Sequence, residues 1–287
     1  MTRNEKKTLS IRNHDRDAAR MTYVYPVVSR RAGGVSVGIN LNPNNACNWR
    51  CIYCQVPNLK RGAAPEIDLD QLETELTTLL SDILQGDFMQ TRVPEEARRL
   101  NDIAISGNGE PTSAKSFPEV VQRIGRVMKR FGLIRKIKLV LITNGSLLAR
   151  APVQLGLKRM SKLQGEVWFK LDTVTREGVA RINSTRQSLK KTAEHLSLAA
   201  RLCPTSIQTC VFAQKAIPPT ESEQQAYLDF LAGLIAHGIQ LKGVLLYGIA
   251  RPSQQPEAAQ LSTLSQAWMD EFAHKIKQLG LNVTITP

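Results

Sequence analysis

Cys47, Cys51 and Cys54 crowd three thiols into eight residues, at spacings of four and then three. A loop with that spacing can wrap three thiolates around one metal centre. Three thiolates serve a four-iron cluster whose remaining iron keeps an open coordination site, where a cofactor can bind and receive an electron. The competing reading is structural zinc, which takes four Cys or His ligands, often in two paired knuckles. No fourth Cys or His lies nearby: the histidines are His14, His195, His237 and His274, and Cys203 and Cys210 are distant. The zinc alternative describes a zinc-dependent nucleic-acid-binding protein without catalysis. An odd total of five cysteines suits metal ligation in a reducing compartment better than a disulfide framework.

A loop of this kind needs a scaffold, and the chain supplies a regular rhythm of strands and helices. A polar arm, residues 1–20, leads into a strand-like stretch at 22–29 and a turn at Gly33-Gly34. Residues 1–34 therefore read as an arm with a short strand, and 35–287 as the main domain. Strand patterns follow at 35–41, 102–106, 137–142, 166–171, 206–212, 241–247 and 283–286. Between them lie helical patterns at 69–84, 118–131, 153–163, 189–202, 222–237 and 261–279. Asp68 is the expected cap of the first helix, with Gln71 three residues on. Six strand–helix units predict a parallel α/β fold, a partial (βα)6 TIM-like barrel open at one side. A doubly wound open sheet is the alternative.

Polar and small residues gather just after each strand: Asn42 to Cys47, Ser106 to Thr112, Thr143 to Gly145, Lys170 to Thr173, Gln208 to Cys210, and Tyr247 to Pro252. In parallel barrels the carboxyl ends of the strands form the active-site rim, so all six sets are expected to face one mouth.

Cys47-x-x-x-Cys51-x-x-Cys54, with Tyr53 before the last thiol, resembles the signature of the radical S-adenosylmethionine (SAM) superfamily. The resemblance runs from about Val35 to Val283. It implies a [4Fe-4S] cluster on Cys47, Cys51 and Cys54, and SAM chelated to the open iron. It further implies reductive cleavage of SAM to a 5′-deoxyadenosyl radical that takes hydrogen from a substrate. Ser106-Gly107-Asn108-Gly109-Glu110 stands where that family has a Gly-Gly-Glu-Pro type motif for the methionine ammonium, with Asn108 as a departure. The resemblance assigns Thr143 and Asn144 to the third strand end and Tyr53 to adenine recognition. It sets Lys170 and Asp172 against the SAM carboxylate, its ribose or the substrate. A reducing partner such as flavodoxin or ferredoxin is implied. Within the superfamily the chain looks most like iron–sulfur oxidoreductases related to the tRNA wyosine-base synthases. Those synthases carry further cysteines ahead of the motif for a second cluster, whereas residues 1–46 here contain none.

The 287 residues are 42% hydrophobic and 22% charged, the composition of a globular chain with ample core material. No apolar run approaches the roughly 18 residues of a membrane span, and the charged start of the chain lacks a signal-peptide pattern. A cytoplasmic location is expected. Thirty-eight basic against twenty-five acidic residues leave a net charge of +13, which favours polyanions. Arg123, Arg126, Lys129, Arg130, Arg135, Lys136 and Lys138, with Lys158, Arg159 and Lys162, are candidates for an RNA-binding stripe. The plainer reading is a solvated helix face. Cys203 and Cys210 read as small packed residues, His195 as filler on a helix, Trp49 as packing for the cysteine loop, and His237 as a helix C-terminal cap.

Overall fold

The computed structural model describes residues 8–9, 21–29 and 33–286; most of the polar arm lies outside them. Eight strands form one sheet: β1 (Val24–Ser29), β2 (Gly34–Ile39), β3 (Leu100–Ile105), β4 (Lys138–Thr143), β5 (Glu166–Lys170), β6 (Thr205–Val211), β7 (Val244–Gly248) and β8 (Val283–Thr286). They pair in simple chain order, β1 next to β2 and so on to β8. From β2 onward every neighbour is parallel, and β1 returns antiparallel to β2 as a hairpin. A doubly wound sheet must reverse its strand order at a switch point. This sheet does not, so it curls as a partial barrel. No pairing of β1 with β8 occurs among the described residues, which leaves that side open.

β2 and β6 are buried along their whole length, as expected of strands covered on one face by helices and facing a barrel interior on the other. The covering helices are α1 (Leu69–Gln85), α2 (Phe88–Arg92), α3 (Phe117–Arg130), α4 (Ala151–Lys162), α5 (Arg176–Asn183), α6 (Leu189–Leu202), α7 (Glu221–Ala236) and α8 (Gln266–Lys277). α1 starts at Asp68, whose carboxylate accepts from the Asp70 and Gln71 backbones at 3.1 and 2.9 Å. Gln71 does not complete a capping box; its amide bonds Thr22 and Glu75 instead. Leu72, Leu76, Leu79, Leu80 and Ile83 form the buried stripe of α1. The largest core joins these to Phe117, Ile124 and Met128 of α3 and to the outward residues of the strands. None of the described helices is long and apolar enough to cross a membrane.

Two elements depart from the sequence pattern. The final helix begins at Gln266, not Leu261, because Ser265 caps it through the Trp268 backbone at 3.2 Å. Leu261–Ser262 instead pairs antiparallel with Ala213–Gln214. α5 was not expected. It buries only Gly178, Ile182 and Asn183, too few apolar positions to mark a helix, and owes its start to the Thr175 hydroxyl, which accepts from the Gly178 backbone at 3.0 Å.

Candidate active site

The strand ends and the cysteine loop enclose a cavity of about 290 Å³. Cys47, Cys51 and Cys54 line it, together with Tyr53, Ser106, Gly107, Asn108, Gly109, Glu110, Asn144 and Lys170. Thr143 stands just behind, buried against Glu110. Asp172 is also set behind the wall and bonds Tyr53 across it. Residues far apart in sequence therefore meet at one mouth.

The cysteine loop is held from three sides. Ala46–Cys47 pairs with Lys60–Arg61 within the loop, and Arg61 donates to the carbonyls of Asn48 and Ser184. The end of α5 pairs with the loop backbone: Arg50 N–H meets Asn183 O at 3.2 Å, and Ile52 N–H meets Ile182 O at 2.9 Å. The segment after β7 clasps it from the other side. Ser253 Oγ donates to Ile52 O at 2.7 Å, Gln255 to Val56 O at 3.0 Å, and Arg50 makes a two-pronged pair with Glu257 at 2.8 and 2.7 Å. Beneath the loop, Ile52, Tyr53, Ile182, Cys210 and Phe212 form a small apolar cluster of their own.

Two of the thiols receive N–H donors. Trp49 N–H points at Cys47 Sγ at 3.4 Å, and the Asn183 amide at Cys51 Sγ at 3.2 Å. Such donors to sulfur are among the means by which proteins tune metal-bound thiolates. Burial pushes the Cys47 thiol up to about 11 and the Cys51 thiol to about 12. These thiols stay protonated near neutral pH unless a metal displaces the proton. Among the described residues, no group of three or more His, Cys, Asp or Glu is arranged to hold a single metal ion. The donor set nevertheless fits a cluster, in which each protein thiolate binds a different iron and the sulfurs need not converge on one point.

Gly107 and Gly109 allow the loop after β3 to lie against the loop after β2. A Cβ at Gly109 would stand 2.0 Å from Ala46 O, and one at Gly107 would stand 2.3 Å from Asn40 Oδ1. Glu110 is nearly inaccessible, and its carboxylate accepts from Thr112 N and Oγ1 at 3.1 and 2.6 Å, Thr143 Oγ1 at 2.6 Å and Asn144 N at 2.7 Å. Burial raises its pKa against the pull of those donors. Glu110 thereby ties the end of β3 to the end of β4. Asn144 extends the tie to the cysteine loop through Asn48 at 2.9 Å. Gly145, in the left-handed region at φ +72°, makes the turn that follows.

Asp172 is the corresponding tie on the opposite wall. Its side chain is fully buried and accepts from Tyr53 Oη, from the Asn183 amide at 2.8 Å and from Cys210 N–H at 3.0 Å. Burial, then the Asp172 charge, hold the Tyr53 hydroxyl well above its usual pKa. Lys170 lies 3.9 Å from Asp172, donates to Tyr247 Oη at 3.0 Å and sits 5.0 Å from the centre of the Tyr53 ring. Burial alone would lower the Lys170 pKa, but Asp172, chief among the neighbouring acids, raises it, so the group is an ammonium.

Asn183 was not singled out from sequence; an Asn ending a short polar helix carries no local signal. Tyr25 was also missed. It reaches across Gly38 from β1, and its hydroxyl stands 3.3 Å from Ser106 O. Cys210 packs among apolar side chains as expected and also lines the cavity. Trp49 is buried in the cavity wall, and His195 is buried with Nδ1 at 2.7 Å from Gly145 O. His237 closes α7 with Nδ1 at 2.6 Å from Gly233 O. Arg123, Arg126 and Arg130 gather round Glu73 of α1, at 2.8, 3.7 and 3.7 Å. Arg159 reaches Glu119 at 3.8 Å.

No family model matches the chain. It is 26% identical over 208 residues to a UPF0026 protein of Helicobacter pylori strain J99, covering 72% of this chain and 60% of that protein. A UPF0026 protein of Helicobacter pylori strain 26695 is 30% identical over 159 residues, which is 55% of this chain and 44% of that one. The chain thus spans 60% or less of these relatives' length. Among solved structures, TYW1 with a lysine–pyruvate adduct bound aligns at a TM-score of 0.55 and 14% identity, over 95% of this chain and 80% of that one. Streptococcus suis SuiB bound to S-adenosylmethionine gives 0.53 at 13% identity, over 89% and 47%. A radical SAM methyltransferase from Sphaerobacter thermophilus gives 0.56 at 13% identity, over 88% and 66%. These neighbours are radical SAM enzymes, and the partial barrel described above is a fold the chain shares with them.

Proposed function

We propose that the chain is a radical SAM enzyme whose Cys47, Cys51 and Cys54 hold a [4Fe-4S] cluster with one iron left for SAM. The observation that carries the reading is the meeting of three thiols, on a loop fixed from three sides, with the strand-end set Ser106–Glu110 and Asn144 around one cavity. The fold shared with these enzymes supports it. When bound, the cluster would supply the electron that cleaves the sulfonium of SAM, giving methionine and a 5′-deoxyadenosyl radical for hydrogen abstraction.

The chain's own residues bind and orient. Gly107 and Gly109 let their backbone lie against the segment leading into the cysteine loop, on the wall of the cavity. Glu110 lines the cavity and sets the relation of two strand ends, its carboxylate taken up by Thr112, Thr143 and Asn144. Asn108 Oδ1, buried without a donor among the described residues, is a further acceptor on the same wall. Asp172 and Asn183 fix Tyr53 and Cys51 relative to each other, which keeps the loop in one geometry. The apolar cluster under the loop excludes water from the inner side of the site.

Anaerobic reconstitution with iron and sulfide, then incubation with SAM and dithionite, tests the reading. Brown protein that releases 5′-deoxyadenosine, with both properties lost in Cys51→Ala, is the expected result. Stoichiometric zinc, no retained iron and intact SAM would instead select the zinc alternative.

A further inference from the structure

Gln208 has no part in the scheme above, yet its placement is unusual. It is 1% exposed, lines the cavity, and has a side-chain nitrogen with no hydrogen-bond partner among the described residues. Buried amide N–H groups are almost always paired, because leaving one unpaired is costly. An orphan donor in a cavity wall points to a ligand that brings the acceptor.

Its neighbour narrows the chemistry. Gln208 on β6 is the register partner of Lys170 on β5, so both side chains leave the same face of adjacent strands, about 4.8 Å apart at the backbone. Lys170 carries a charge and three N–H donors. Tyr247 Oη takes one of them at 3.0 Å, and Asp172 Oδ1 stands further off at 3.9 Å. A neutral donor and a charged donor side by side match the two oxygens of a carboxylate. The position is also informative. Gln208 comes two residues before Cys210, whose N–H meets Asp172, and so lies about 7 Å deeper along the strand. It also stands three strands along the sheet from β3, whose end carries the glycine loop where the cofactor's methionine end is expected.

We propose that Lys170 and Gln208 together bind a carboxylate of the substrate on the β5–β6 wall of the cavity. The inference rests on this cavity being the substrate site of the enzyme proposed above. It makes the substrate an acid, or a molecule with an acidic side arm, held by non-covalent contacts.

The test uses the full chain, reconstituted as above and carrying ¹⁵N in its glutamine side chains. The Gln208 resonance is identified by its loss in Gln208→Leu. Acetate and propionate, neutral acetamide, inorganic phosphate and SAM are titrated separately. A saturable shift of the Gln208 N–H signals is expected with the two carboxylates and not with acetamide. The apparent affinity should fall about tenfold or more in Lys170→Met, the scale of losing a hydrogen bond to a charged group. Gln208→Glu, which keeps the shape but sets like charge against the ligand, should abolish the response to carboxylates in the remaining resonances. If a variant fails to fold, the wild-type titration decides alone. An unmoved signal, an equal response to acetamide or a preference for phosphate overturns the proposal. Displacement of propionate by SAM also overturns it, since the pair would then serve the cofactor. Release of 5′-deoxyadenosine is measured on the same samples. SAM cleavage without a carboxylate response sinks this inference alone, whereas a carboxylate response without SAM cleavage sinks the enzyme reading and leaves the subsite.

Discussion

Asp172 ties three segments of the site together: three donors and a neighbouring ammonium depend on one carboxylate. Asp172→Ala would bury unpaired groups on Tyr53, Asn183 and Cys210 and leave Lys170 without its counter-charge. Urea unfolding should show a loss of roughly 3 kcal/mol, the scale of removing one partner from a buried ion pair. Glu166, at the opposite end of the barrel, allows a test by pH. Burial would raise its pKa, but hydrogen bonds from Lys242 and Trp168, with Lys138 nearby, hold it below the usual carboxylate range. A depressed carboxyl stabilises the fold above its unfolded pKa of about 4 and loses that contribution as pH falls through the folded value. Glu166→Gln should therefore destabilise at neutral pH, with the gap to wild type closing on acidification in parallel unfolding curves. The thiols and the glycine loop were legible in the sequence because their spacing is local. Gln208 was legible as part of a strand-end set, but its unpaired amide was not, and Asn183 was missed because its partners Cys51 and Asp172 lie far off in sequence.

At the level of elements, the alternation of strand and helix was readable because each unit repeats the same change of apolar period, from two to about 3.6. The sequential strand order was the favoured expectation, with a doubly wound order as the alternative that the sheet excludes. What local pattern could not show was α5, whose two-sided use, capping from Thr175 and clasping the cysteine loop with its last turn, needs few apolar residues. Equally hidden was the reason for each glycine. Neither Gly107 nor Gly109 has a positive φ; both are required by the close approach of two strand-end loops. Gly109→Ala must push the Ala46 carbonyl away, at a cost of roughly 2 kcal/mol. Because Ala46 adjoins Cys47, iron retained after reconstitution should drop, while circular dichroism reports an intact sheet.

For the molecule as a whole, the net charge of +13 is partly spoken for, since three arginines of α3 face Glu73. The remaining excess should still draw polyanions. Filter binding of tRNA is expected to weaken steeply as salt rises, following counterion release; a flat response would confine the basic residues to pairing between helices. The clasp around the thiol loop has a consequence for biogenesis. A ribosome that has just added Cys54 has made the whole trio, but Asn183, Ser253, Gln255 and Glu257 are still to be translated. A nascent chain therefore carries loose thiols and no cradle, so the proposed cluster should be acquired only after Glu257 has been added.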